Sequence, residues 1–258
     1  MKQSLIPGLV MMFFVSGCVV IHSPYTKGEN DLIEKGILGE DLEYYKQNYM
    51  MSDKNEAFYG SMSIQAGKRI TNVYDEKINK IKNGNMPTFE KLYHVKDAVY
   101  FHLDKYSEIW STSISFSCRM MNPQQKVWKP TSETVNDSWL ISELRKTPLT
   151  FARPAVSGAS PNIDFVTALE IAHTEFTRVG VFARLDAAES LIIEDLKEID
   201  RKKYAKTIDL YGVLSQMIAL AKYRRGSLET FNANINLLMG DFDRTLALAR
   251  LEYQSNGS

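Results

Sequence analysis

Glu170-Ile-Ala-His173 sets a carboxylate and an imidazole three residues apart. That is the spacing used by carboxylate-bridged metal sites in helical bundles, where both side chains project from one helix. Such sites need a second pair of the same kind. The nearest counterpart is Glu90 and His94, four residues apart, which with Asp97 and His102 makes a loose cluster on one helix. Glu170 and His173 are therefore the candidate metal ligands, and the competing reading is of histidines solvated or satisfied in a core. For nucleophilic chemistry, Ser157-Gly158-Ala159-Ser160 presents hydroxyls in a loop. It lacks the G-x-S-x-G elbow and its strand–turn–helix setting, and small residues there serve the start of a helix. No Gly-rich phosphate loop, H-E-x-x-H or C-x-x-C occurs, so the sequence names no catalytic residue.

The cysteines are more informative. There are 2, Cys18 and Cys118. Lys2 precedes a short apolar stretch from Leu5 to Val15, and Ser16-Gly17 stand just before Cys18. A basic residue, a short apolar run and small residues make a secretory signal peptide, too short to span a bilayer comfortably. The ending Val15-Ser16-Gly17-Cys18 resembles the lipobox of bacterial lipoproteins, with Val15 where Leu is commoner and Pro7-Gly8 interrupting the run. The resemblance covers residues 1–18. It implies cleavage before Cys18 and acylation of the new N-terminus, a covalent lipid being the only cofactor expected. Two or three acyl chains anchor stably, since each buried methylene adds about 0.8 kcal/mol. Residues 19 and 20 are Val-Val. In enteric-type bacteria Asp after the cysteine resembles an inner-membrane retention signal, so its absence favours the outer membrane and a periplasmic domain, with surface display left open. With Cys18 committed to lipid, Cys118 has no intrachain partner for a disulfide. It reads as a buried thiol among Phe116, Met120 and Met121, an intermolecular disulfide being the alternative.

Composition narrows the partners. Lys+Arg and Asp+Glu number 31 each, giving a formal net charge of +0. No basic surplus is present to neutralise phosphates, which argues against nucleic acid. At 44% hydrophobic and 24% charged the chain is globular rather than disordered. Beyond the leader no run of 18 apolar residues occurs, so the membrane contact expected is through Cys18 alone.

The elements that must position these residues read as helices. Residues 18–39 look like a flexible tether broken by Pro24, Gly28, Asn30, Gly36 and Gly39. A short helix follows over 40–51. From 55 to 82, Met62, Ala66, Ile70, Val73 and Lys77, then Ile78 and Ile81, step by three and four. Gly84 is expected to end that helix in the left-handed conformation. Leu92, Val95, Val99, Leu103, Tyr106 and Trp110 continue the spacing after Pro87-Thr88. Over 110–120 apolar residues alternate with serines, which fits a strand, while the three-four phase running in from before favours a continuing helix. Residues 122–161 hold five of the 8 prolines and two of the 3 tryptophans, and read as an irregular insertion. Trp128, Trp139 and Phe151 there are candidate partner-binding residues, or pins that fasten the loop. Ser160-Pro161 opens a long helix with Phe165, Leu169, Ala172, Phe176, Val179 and Ala183 as its seam, shifting phase near Asp186. Further seams run through Tyr204, Ile208, Tyr211, Leu214, Ile218 and Ala221, then Leu228, Phe231, Ile235, Leu238, Phe242, Leu246, Ala249 and Tyr253. Turns near Lys202-Lys203 or Gly226-Ser227 make these neighbours antiparallel. The acidic run Glu194 to Asp200 reads as a solvated helix surface.

The fold expected is all-α: a bundle of four or five helices over residues 40–258, with long antiparallel coiled-coil-like members. A second resemblance lies near the C-terminus. Tyr223-Arg-Arg-Gly226-Ser-Leu, followed by a helix ending Leu246-Ala-Leu-Ala-Arg-Leu-Glu-Tyr253, looks like a helical segment of TolC-like outer-membrane efflux channels. It covers about thirty residues, and the chain lacks that family's strand pair. Three functions stay open at this point. One is a non-enzymatic interaction or assembly factor of an envelope complex, with a protein partner or a second copy of itself. Another is an inhibitor or immunity-type protein binding a toxin through 122–161. The third is a metal-dependent or hydrolytic enzyme.

Overall fold

The computed structural model describes residues 31–49, 54–121, 146, 165–224 and 226–256. They are all-helical, with no strand among the described residues. The chain divides into two compact units, residues 1–53 and 54–258. In the first, residues 31–34 are helical and α1 spans Glu40–Asn48. Leu32 and Ile37, expected within a tether, are buried, as are Leu42, Tyr45 and Tyr49.

The second unit is a helical bundle of α2 (Lys54–Asn83), α3 (Thr88–Met121), α4 (Phe165–Arg178), α5 (Val181–Glu198), α6 (Ala205–Lys222) and α7 (Leu228–Asn256). The three-four seam of α3 buries Leu92, Val95, Val99, Leu103, Tyr106 and Trp110 completely. That single face cannot satisfy five neighbours, so Ala98, His102, Ile109, Ser113 and Ile114 are buried as well. α3 packs against each of α2, α4, α5, α6 and α7 and forms the axis of this bundle. It continues without interruption to Met121, so the serine-alternating stretch is helix. The serine pattern does not need a strand: Ser113 returns its hydroxyl to the carbonyl of Trp110 at 2.7 Å, a bond made within one helical turn.

Two glycines behave differently from expectation. Gly84 is absent from the positive-φ glycines, so the α2–α3 connection is not a left-handed cap. A Cβ there would stand 2.8 Å from the Lys80 carbonyl oxygen, and this crowding is what excludes a side chain. The left-handed residue is instead Gly180, at φ 81, between α4 and α5. It breaks what the sequence presents as one long helix. The break rotates the seam, so Val181 and Leu185 are buried while Ala183 is exposed. Turns do occur at both places named from the sequence, between α5 and α6 and between α6 and α7. At the latter, Ser227 Oγ accepts the Thr230 amide at 3.1 Å as the N-cap of α7.

Gly67 marks the closest approach of α2 to α4. A Cβ on it would lie 2.7 Å from Val179 Cγ2 and 3.3 Å from Phe176 Cδ1. Alanine gains about 1 kcal/mol of helix propensity over glycine. The stiff valine cannot yield without shifting α4, and overpacking costs about 1–3 kcal/mol. Gly67→Ala is therefore expected to destabilise by about 1 kcal/mol in urea titration, and Val179→Ala in the same chain to reverse the sign of the Gly67→Ala effect. A stabilising Gly67→Ala in the native background would refute the close approach.

Candidate functional site

Two histidines, two tyrosines and an arginine converge where α2, α3, α4 and α5 meet the end of α6. His102 is wholly buried, with Nδ1 3.4 Å from the Tyr74 hydroxyl on α2. The pair can exchange donor roles, and His102 Nε2 meets no hydrogen-bonding partner. The imidazole stacks on Tyr106 with centroids 5.2 Å apart and meets Phe176 and Phe182 edgewise or tilted. One turn on, the Tyr106 hydroxyl is 3.5 Å from Nδ1 of His173. Arg224, just past α6, lays its guanidinium 4.4 Å from the Tyr106 ring centroid and donates to the Leu169 carbonyl at 3.0 Å. The result is a stack of alternating cation, phenol and imidazole, walled by phenylalanines.

Electrostatics decides what this stack can do. Burial lowers the His102 pKa from 6.5 to about 3, and the nearby Arg224 and His173 push the same way. Burial raises Tyr106 to about 12, against the opposing pull of Arg224, and raises Tyr74 as well. Near neutrality these three rings carry no charge and stand far from the pKa at which they would exchange protons. Arg224 is the cation of the group. Desolvation weakens it, while Tyr106 and the neighbouring Glu170 favour its charge. The stack thus fixes the register of α3 against its neighbours and ties the end of α6 to α4.

His173 borders this stack through the Tyr106 hydroxyl, and both His173 and Glu170 are exposed at its edge. Burial and Arg224 lower the His173 pKa. Of the other cluster, Glu90 is exposed, Asp97 pairs with Lys96 at 2.9 Å, and His94 lies half-buried with its pKa lowered by burial, Lys80 and Lys77. His102 leaves this group for the core. No three His, Cys, Asp or Glu side chains gather as a metal site among the described residues. Cys18, Trp128, Trp139 and Phe151 lie outside the described residues. The acidic run is not purely solvated: Asp195 takes Lys91 of α3 at 2.6 Å, closing a cleft of about 300 Å³ lined also by Phe89, Tyr204 and Tyr253.

One feature went unread in the sequence. Besides the buried face of α7 (Phe231, Ile235, Phe242, Leu246, Ala249), Leu237, Leu248 and Leu251 stand 63%, 45% and 62% exposed. At 100° per residue they fall on the side opposite the core, where a soluble amphipathic helix is normally polar. Next to Leu237 a groove of about 560 Å³ opens between α6 and α7, lined by Ala219, Leu220, Tyr223, Asn234 and Leu238. Its rim residue Tyr223 is 67% exposed. The signal was present as Leu237, Leu248 and Leu251, which the single core seam leaves out. Arg224 on Tyr106 had no signal, because nothing in local spacing pairs residues so far apart. No helix among the described residues is long and apolar enough to cross a membrane. No protein family, curated protein or solved structure matches this chain.

Proposed function

We propose that this chain is a lipid-anchored protein of the bacterial outer membrane whose periplasmic helical domain is a non-enzymatic interaction or assembly factor in an envelope-associated complex. The observation that carries the reading is the second apolar face of α7 with the adjoining groove. Large exposed apolar surface that the fold does not use marks a protein-binding site. The α6–α7 pair would serve as a coiled-coil-like arm, its inner seam holding the bundle and its outer leucines meeting a partner. The anchor reading rests on the lipobox-like Val15-Ser16-Gly17-Cys18. The polar core cluster supports the same view, since its neutral rings hold helices together.

The test is affinity capture through a C-terminal tag from crosslinked cells, followed by mass spectrometry. Envelope-machine components should be recovered with the native chain and reduced about tenfold or more with Leu237→Glu/Leu251→Glu, since each change would bury an unpaired carboxylate against an apolar partner. The exposed positions leave the fold intact. Recovery of one secreted toxin-like protein, unaffected by that variant, would favour the immunity reading instead. Separately, Cys18→Ser should abolish incorporation of labelled fatty acid and release the chain from the membrane pellet. Retention of label would refute acylation at this residue.

A further inference from the structure

We infer that the outer face of α7 pairs with the same face of a second copy, antiparallel about a two-fold axis near residues 242–243. This rests on the interaction reading of that face and names its partner.

The argument is one of self-complementarity. A two-fold antiparallel pairing sets residue i against residue j with a constant sum of numbers. Placing Leu237 against Leu248 of the second copy does so twice by symmetry. The same register places Asp241 opposite Arg244 of the second copy, and Arg244 opposite its Asp241. Within one chain Arg244 Nη2 holds Asp241 Oδ1 at 2.8 Å, with side chains 74% and 37% exposed, so both are free to trade this exposed pair for the crossed one. Leu251 then falls opposite Asn234, a residue of the groove between α6 and α7, so the C-terminal leucine of each copy enters the groove of the other. Exposed Gly240, with open space where a Cβ would stand, lies on the approaching face and lets the backbones come close.

A parallel pairing forfeits this match. It puts Asp241 against Asp241 and Arg244 against Arg244, setting like charges together. The face runs from Asn234 to Leu251, about 26 Å at 1.5 Å per residue. One helix face of that length is smaller than the roughly 800 Å² per partner of a standard interface, so the pairing is weak in free solution. Confinement of both copies to one membrane raises their effective concentration and favours it.

The experiment uses the full acylated chain in its membrane. Two differently tagged chains, one Leu237→Cys and one Leu248→Cys, are co-expressed and oxidised. A disulfide needs Cβ atoms about 3.5–4.5 Å apart. In the inferred register the two substituted positions meet, whereas two Leu237→Cys chains hold theirs about 16 Å apart along the axis. The mixed covalent dimer should therefore form at least about tenfold more than the Leu237→Cys self-dimer. Asp241→Arg and Arg244→Asp should each reduce it about tenfold, and the doubly exchanged chain should restore it to within about threefold, since coupled charges fail to add. Preferential Leu237→Cys self-dimers would overturn the antiparallel register. Crosslinks only to a different protein would overturn self-pairing while sustaining the interaction reading. No adduct at either position would remove both.

Discussion

Lowering the pH from 7 to 4.5 is expected to take about 3 kcal/mol from the stability of the helical unit through His102 alone. The folded-state pKa of this residue is depressed from 6.5 to about 3. The unfolded chain therefore binds the proton first as pH falls. The stability given by the neutral, buried ring is whole above pH 6.5 and is lost progressively between 6.5 and about 3, at about 1.4 kcal/mol per pH unit. The described groups in contact with it are Tyr74 from α2, Tyr106 beside it on α3, Phe176 from α4 and Phe182 from α5, and the charges that act on its pKa are Arg224 after α6 and His173 from α4. Both charged or chargeable neighbours repel a proton there. The measurement is urea unfolding across pH 3.5–7.5 on the native chain and on His102→Phe, which keeps a ring in the stack. The variant should lose about one proton's worth of slope in this window. Parallel profiles for the two chains would mean that His102 is not the sensor.

Truncating Trp110 should cost about 3–5 kcal/mol, a large part of what holds a domain together. Trp110 is fully buried on α3, with its ring 5.7 Å from Phe231 of α7. One turn earlier Ser107 donates to Asn232 Oδ1 at 2.7 Å, so the two helices are bolted together over this stretch. Trp110→Ala leaves a cavity that the surrounding helices cannot collapse to fill. Trp110→Phe is expected to cost much less, because the indole Nε1 has no hydrogen-bonding partner and its removal relieves a buried, unsatisfied donor. Urea midpoints with unchanged m-values separate the two. An alanine variant within about 1 kcal/mol of native would show that α7 contributes little to the core at this point.

How far the sequence speaks depends on whether local spacing or distant contact decides the matter. The α3 seam from Leu92 to Trp110 was fully legible, since a helix with neighbours all round buries whatever repeats at three and four. The seam of the next helix failed at Ala183, because one left-handed residue at Gly180 resets the phase and the pattern shows this only a turn later. In α6 the buried face is Thr207, Leu210, Leu214, Met217, Ile218 and Ala221, turned from the expected Ile208 and Tyr211. That helix is apolar nearly all round, so its period carries little information. The candidate site was half legible. His173 could be singled out by its spacing from Glu170, but its companions Tyr106 and Arg224 come from elsewhere in the chain. The outer leucines of α7 were hidden for the opposite reason: a stronger periodic signal on the same helix masked them.

α3 touches each of α2, α4, α5, α6 and α7, and its seam residues are without exposure. The consequence concerns cooperativity. Any of these helices that peels away uncovers part of the same shaft. Partial opening is therefore expected to cost a large share of complete unfolding, because each described helix that leaves exposes apolar surface on α3. The seam faces of the described helices are thus expected to meet solvent rarely, and protection of their amides from hydrogen exchange should be highest along α3.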